Sequence, residues 1–222
     1  MHQQINTGPP EINVQTSSEW IGVRGRIGAW YLNSPLRRLS EIMFLGDLKS
    51  AFLNEVSRII MGDEVVLDVG AGSGYFSLAI AGRLTSGKVI CLDLSEEMLH
   101  RLVSVADKKW LGDRIQILKG EASSIKLSDG FVDLVVSNGV FHELSEPGSC
   151  LKEMIRVLKP GGWLIVTDFR NTRIGKRTGA AHNREAHGPL SVDELGTLFA
   201  DAGLGNVKVY PVKHWVVGVG KK

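Results

Sequence analysis

Hydrophobic and polar positions along the chain change their period twice. Residues 1–18 are polar, carry Pro9 and Pro10, and predict a mobile tail outside any core. Further on, the apolar positions Leu36, Leu39, Ile42 and Met43 recur at helical spacing, Gly46 interrupts them, and a second helix is expected from Asp47 to Ile60. The pattern then shifts to short apolar runs separated by amphipathic stretches. "EVVLDVG", "KVICLDL", "RIQILKG", "FVDLVVSNG" and "GGWLIVTDF" read as five strands. Helices are expected between them over Tyr75–Leu84, over "SEEMLHRLVSVADKKW" with Ser95 as its cap, and over roughly 147–158. Residues 191–202 predict one more, with Ser191 and Glu194 spaced as a capping box, and "NVKVYPV" and "HWVVGVG" read as two closing strands.

Strands alternating with helices specify βαβ units, hence an α/β fold with a mainly parallel sheet and helices on its faces. The two closing strands are joined by too few residues for a crossover helix, so they must pair antiparallel or turn sharply. The expected organisation is a tail over 1–18, an N-terminal helical cover over 19–60, and one domain over 61–222.

Composition narrows the class. No apolar run reaches the roughly 18–20 residues that span a bilayer, and "MHQQINTGPPEINVQTSSE" has no apolar core of the kind a secretory leader carries. The net charge of +2 is too small to argue for a nucleic-acid partner. Two cysteines, Cys91 in an apolar strand and Cys150 at a helix start, suit a reducing compartment, so the expectation is cytoplasmic.

Candidate chemistry concentrates in the turn after the first strand, where Gly70, Gly72 and Gly74 fall between a buried strand and an apolar helix. Glycines there permit positive φ and let a ligand approach the backbone. Such a turn suits a dinucleotide pyrophosphate or the amino-acid part of a different nucleotide cofactor. Two residues bear on the choice. The dinucleotide signature places a third glycine where this chain has Tyr75, and the acidic Asp68 ahead of the turn favours a cationic ligand over a pyrophosphate. Asp93, nineteen positions after Gly74, is placed to accept hydrogen bonds from ribose hydroxyls.

These residues carry a resemblance. "VVLDVGAGSGYFSLAIA" resembles the first motif of class I S-adenosylmethionine-dependent methyltransferases, and "VICLDLSEEML" their second-strand acidic motif. "GEASSIKLSDGFVDLVVSNGVFHEL" is similar to the stretch through their fourth strand. "LKEMIRVLKPGGWLIVTDF" is similar to the helix and fifth strand of the subgroup that includes ubiquinone/menaquinone methyltransferases and many small-molecule methyltransferases. The likeness runs over roughly residues 60–170. It implies a Rossmann-like, seven-stranded, mostly parallel sheet whose antiparallel final strand inserts beside the sixth. It implies S-adenosyl-L-methionine as cofactor, S-adenosyl-L-homocysteine as product, and transfer of a methyl group to a small-molecule acceptor. On this resemblance Gly70, Gly72 and Gly74 line the methionine moiety and Asp68 helps hold its ammonium group through the turn or water. Asp93 binds the ribose, Leu94 and Met98 pack near the adenosine, and Glu121 and Ala122 take the adenine-side position that is usually Asp-Ala. Ser137 and Asn138 border the methionine and the methyl group.

Methyl transfer needs alignment and desolvation more than a catalytic side chain. Where the acceptor atom carries a proton, a base helps, and His142 and Glu143, just past the fourth strand, are the candidates; the alternative is that His142 only packs at the pocket rim. The segment after the fifth strand holds Arg170, Arg173, Lys176, Arg177 and Arg184 with Glu185 as its one acid, which fits either an anionic acceptor or a solvated loop. His182 and His187 with Glu185 lack the fixed spacing and the cysteine partner of a metal centre, so no metal is expected. Trp20, Trp30 and Tyr31 are candidates for a lid or for packing of the N-terminal helices, and the stretch Leu36–Leu45 for core or for a greasy acceptor. Three other functions stay open at this point. They are an RNA or protein methyltransferase, which normally brings a larger basic surface or an added domain, a cofactor-binding sensor or scaffold without transfer, and a nicotinamide oxidoreductase.

Overall fold

The structure is a computed structural model that describes Met43, residues 46–179 and residues 187–222. The expected tail, Trp20, Trp30, Tyr31, the helix through Leu36, Leu39 and Ile42, and His182, Arg184 and Glu185 lie outside the described residues.

Each apolar run forms a strand: β1 Val65–Val69, β2 Lys88–Asp93, β3 Ile115–Lys119, β4 Val132–Asn138, β5 Leu158–Phe169, β6 Gly205–Val212 and β7 Trp215–Lys221. They make one sheet in the order β3-β2-β1-β4-β5-β7-β6. The first five run parallel, and β7 pairs antiparallel with β5 on one side and β6 on the other. This is the Rossmann-like sheet with an inserted antiparallel final strand that the resemblance implied.

Alternation along the strands divides the core between two faces. On one, Leu67, Val69, Val135, Leu164 and Val166 meet α4 (Pro147–Val157) and α6 (Val192–Asp201) through Leu151, Met154, Leu195 and Phe199. On the other, Val66, Cys91, Val136, Ile165 and Val217 meet α1 (Leu48–Ser57), α2 (Ser77–Ala81) and α3 (Glu96–Lys108). Gly218 lets α6 approach β7 closely, since a Cβ there would fall 2.8 Å from Leu195 Cδ2.

Helix ends follow the expected chemistry. Asp47, Ser95 and Ser191 cap α1, α3 and α6 with their side chains, and both halves of the Ser191/Glu194 box are made. Three elements differ from expectation. Regular helix after the glycine turn is confined to Ser77–Ala81, because residues before it are held in the turn and those after it tighten into bonds such as Arg83 N–H to the Ile80 carbonyl. Strand β5 starts at Leu158, where a register shift against β4 lets it begin ahead of Gly161 and Gly162. Part of the segment read as a loop forms α5, Arg173–Gly179.

The expected helix from Asp47 is α1, and its anchor is electrostatic as well as apolar. Glu55, buried on α1, accepts from Lys208 Nζ (2.9 Å) and Tyr210 Oη (2.8 Å) on β6 and from Arg58 (2.9 Å). Burial would raise its pKa, but these three partners outweigh it and hold the carboxyl below its ordinary value. Among the described residues no helix is long and apolar enough to cross a membrane.

Candidate active site

Strand order reverses at β1, which pairs with β2 on one side and β4 on the other. In open parallel sheets the carboxyl ends of strands at such a reversal part to leave a crevice. Two segments line it here, the turn after β1 and the loop after β4.

The first turn is built by three glycines at positive φ: Gly70 (+73°), Gly72 (+52°) and Gly74 (+87°). Gly70 and Ala71 donate to the Leu92 carbonyl (2.8 and 3.0 Å), tying the turn to the end of β2. The glycines differ in what surrounds them. A Cβ on Gly70 would fall 2.2 Å from Val140 Cγ2, and one on Gly74 2.7 Å from Leu102 Cγ. A Cβ on Gly72 would meet nothing within 4 Å, and the same holds for Gly139 (φ +69°), at the end of β4 across the reversal. Gly70 and Gly74 are therefore required by the protein's own packing, whereas Gly72 and Gly139 present bare backbone to open space.

Asp93 terminates β2 beside this turn. Its Oδ2 accepts from Gly72 N–H (2.8 Å) and its Oδ1 from Ser95 N–H (2.8 Å), so the carboxylate is fixed at the crevice with lone pairs left for further donors. Burial raises its pKa, and the backbone N–H groups of Ser95, Gly72 and Leu94 partly oppose the rise. Asp68 lies lower, fully within the α1–α2–α3 face, where Ser77 Oγ donates to its Oδ2 (2.5 Å). Burial pushes its pKa up to about 7, with the charge of Asp93 adding to the rise. Asp68 thus acts directly on the first residue of α2 and reaches a ligand only through the turn above it. Among the described residues neither carboxylate has a cationic partner, which leaves the crevice suited to a ligand that carries positive charge.

Beyond Asp93, Leu94 is 41% exposed while Met98 is buried in the first turn of α3. Glu121 and Ala122 follow β3 at the same edge, reached through Gly120, whose N–H donates to the Asp93 carbonyl (3.1 Å). Arg156 of α4 staples the stretch after them, donating to the carbonyls of Ile125 and Leu127 (2.8 and 2.9 Å). Across the reversal, Ser137 Oγ donates to the Val69 carbonyl (3.1 Å) and is buried, so it joins β4 to β1. Asn138 Oδ1 accepts from Thr167 Oγ1 (2.7 Å), whereas its Nδ2 is buried with no partner. The sequence-predicted cofactor residues therefore gather along one edge, with Asp68 and Ser137 directed into the protein, Gly72 presenting bare backbone, and Asp93 and Asn138 keeping unused hydrogen-bonding capacity.

The loop after β4 ends in one 3₁₀ turn, Phe141–Glu143. His142 is buried there, and Asp168 near the end of β5 binds it twice: Oδ2 accepts from His142 N–H (3.0 Å) and Oδ1 pairs with Nδ1 (2.8 Å). That leaves Nε2 as the ring nitrogen not engaged by Asp168, 3.6 Å from Glu143 Oε1. Burial pulls the His142 pKa down, but the Asp168 hydrogen bond and charge, with the Glu143 charge, outweigh it and the net direction is upward. The ring meets Phe169 edge-on at 5.1 Å between centroids, and Phe169 stacks on Trp215 at 4.1 Å. Asp168 was missed in the sequence. Its signal is a carboxylate near the end of the apolar run "GGWLIVTDF", one residue past the level that Asp93 holds on β2. Thr167 and Gly139 were missed as well. Among the described residues no group of His, Cys, Asp and Glu is arranged to hold a metal.

Comparison with known proteins agrees with this geometry. A family model described as a methyltransferase domain matches residues 67–166. A demethylmenaquinone methyltransferase from Bacillus mycoides is 30% identical over 181 residues, covering 69% of this chain and 75% of the relative. A malonyl-[acyl-carrier protein] O-methyltransferase from Methylococcus capsulatus is 34% identical over 104 residues, 47% of this chain and 37% of the relative. The chain thus spans well under half the length of that relative, while it spans most of the first. Among solved structures, a SAM dependent methyltransferase from Aquifex aeolicus superposes with a TM-score of 0.67 at 29% identity, covering 88% of this chain and 96% of the other.

Proposed function

Because the chain belongs to the class I S-adenosylmethionine-dependent methyltransferases, we propose that it transfers a methyl group from S-adenosylmethionine to a small-molecule acceptor. The observation that carries this reading is the pair of open glycines, Gly72 after β1 and Gly139 after β4 on either side of the strand reversal, with the Asp93 carboxylate bound to Gly72. A bulky ligand with a hydroxylated ribose and a positive charge matches bare backbone and a carboxylate that has no cationic partner among the described residues. The cofactor supplies an activated methyl on a sulfonium, whose carbon–sulfur bond breaks as the acceptor's lone pair forms the new bond. The chain's residues do the rest. Gly70, Gly72 and Gly74 shape the floor, Asp93 accepts from the ribose hydroxyls, Leu94, Met98, Glu121 and Ala122 flank the base, and Ser137 and Asn138 border the reacting end. His142 Nε2 takes the proton when the acceptor atom carries one, with Asp168 holding the ring and Glu143 beside the same nitrogen. The relatives are named for two unlike acceptors, demethylmenaquinone and a malonyl-acyl carrier protein, so the acceptor is read from this chain's own residues. A cytoplasmic location is part of the proposal, supported by Cys91 and Cys150, both buried and unpaired.

Binding to the folded state alone stabilises it by roughly 2.7 kcal/mol at 100 times Kd. Saturating S-adenosylhomocysteine is therefore expected to raise the melting temperature of the wild-type protein. Asp93→Ala removes charge-assisted acceptors worth on the order of 1.5–3 kcal/mol, or about 10- to 100-fold in calorimetric Kd. Asp133→Ala, which loses bonds to Val65 N–H and Lys159 away from the crevice, is expected to leave Kd unchanged. An unmoved wild-type melting curve would sink the cofactor assignment, and equal Kd values for the two alanine variants would sink the ribose role.

A further inference from the structure

Where β4 and β5 end and β7 begins, three side-chain donors have no acceptor among the described residues. Asn138 Nδ2, Arg170 Nε and Trp215 Nε1 are all buried there with no partner. The strands that carry them are neighbours, with Asn138 opposite Thr167 and Trp215 opposite Phe169 in the sheet register. Resting on the methyltransferase reading, and deepening it, we propose that the acceptor carries an anionic oxygen group and that Arg170 holds it.

Arg170 differs from the arginines whose work is structural. Arg58 donates to Glu55 at 2.9 Å, and Arg156 donates to Glu153 at 2.7 Å and to Asp129 at 2.6 Å. Arg170 has no such carboxylate among the described residues, although its Nε is withdrawn from water. A buried guanidinium N–H without an acceptor is unfavourable until one reaches it.

The local acids are already taken. Asp168, two residues before Arg170, accepts from His142 N–H, from Phe169 N–H and pairs with the His142 ring. Glu143 lies at the far nitrogen of the same ring. The charges that follow Arg170 are positive: Arg173 and Lys176 stand exposed on α5.

Its backbone is clamped. Arg170 N–H donates to the His214 carbonyl (2.7 Å), Thr172 N–H donates to its carbonyl (2.6 Å), and it bridges to Leu190. Gly175 packs against the same carbonyl so closely that a Cβ there would fall 2.0 Å away. A clamped backbone reduces the ordering that the Arg170 side chain must undergo when it binds an anion. The residue before it, Phe169, stacks on Trp215 to make a flat aromatic pair. A molecule with an anionic oxygen group next to a flat body fits both features.

The test needs no knowledge of the acceptor. Sodium benzoate and its neutral counterpart benzamide are titrated at constant ionic strength into the wild-type protein, with and without saturating S-adenosylhomocysteine. Arg170→Gln and Arg170→Lys are treated alike, with circular dichroism to establish that each is folded. Wild type is expected to bind benzoate about 10-fold more tightly than benzamide. Arg170→Gln is expected to lose that preference, Arg170→Lys to keep part of it, and both to bind S-adenosylhomocysteine within about 2-fold of wild type. Equal binding of benzoate and benzamide by the wild type, or an undiminished preference in Arg170→Gln, overturns the proposal. A benzoate preference in a protein that fails to bind S-adenosylhomocysteine overturns its assignment to a methyl acceptor and removes the methyltransferase reading beneath it.

Discussion

Gly72→Val is expected to weaken S-adenosylhomocysteine binding by about 10³-fold, some 4 kcal/mol, while the protein stays folded. The expectation follows from the difference between the three glycines of one turn. A side chain at Gly72 meets no protein atom within 4 Å, so it projects into the open space proposed for the ligand. The cost to the fold is the left-handed backbone at +52°, roughly 1–2 kcal/mol for a residue with a side chain and more for a β-branched one. Gly72→Ala should fall between wild type and valine in affinity, with less loss of stability. Gly74→Ala should behave in the opposite way, because its Cβ collides with Leu102 inside the core. Melting temperature and calorimetric Kd, measured side by side on these variants, separate the two kinds of glycine. Near-normal affinity in Gly72→Val would mean that the turn does not approach the ligand.

The second large effect concerns His142. With labelled cofactor and an acceptor whose reacting atom bears a proton, His142→Ala is expected to slow turnover by about 10²-fold or more. The pH dependence carries a sign. The pKa of His142 lies above its ordinary value because the Asp168 bond and charge outweigh burial. The basic form therefore grows in as pH rises past the usual imidazole range, and turnover should rise with it. Asp168→Asn removes the anion that holds the proton, so the rise should begin at lower pH and reach a lower plateau. Stability runs the other way. A histidine whose folded pKa exceeds its unfolded one contributes fully below the unfolded value and loses that contribution as pH rises through the folded one. The His142–Asp168 pair therefore stabilises the loop most where His142 is least able to accept a proton. A loss of less than about 3-fold in His142→Ala, or one pH profile shared by wild type and Asp168→Asn, would leave His142 as a lining residue only.

What the sequence disclosed depended on how local the cause was. The central strands were legible because burial on both faces demands continuous apolar runs, and the antiparallel ending because Lys213 and His214 are too few to return a chain through a helix. The Ser191/Glu194 box was legible because its bonds span three residues. The glycine turn and Asp93 were legible as a pattern at fixed spacing. Helix α5 was not, since "RIGKRTG" carries no apolar period. Asp168 was not, because its partner His142 is 26 positions away and the two meet only through the parallel pairing of β4 with β5. The unmatched donors on Asn138 and Arg170 are further still from a sequence signal, since a missing partner has no residue to mark it.

Strand β7 is the last of the seven in the chain, yet it lies inside the sheet, between β5 and β6. Synthesis therefore delivers the sheet out of order. When Phe169 has emerged, the parallel part can pair, but β5 still has one bare edge, and β6 on its arrival has nothing to join. The wait from Phe169 to Lys221 takes about 3–10 s at ~5–20 residues per second. Through that interval the exposed edge of β5, with Ile165 and Trp163 on the face that β7 will extend, is open to pairing with other nascent chains. Arrival of residues 215–221 seals both strands at once and completes the wall on which Trp215 stacks with Phe169. The edge proposed to take the acceptor is thus the part of the sheet assembled last.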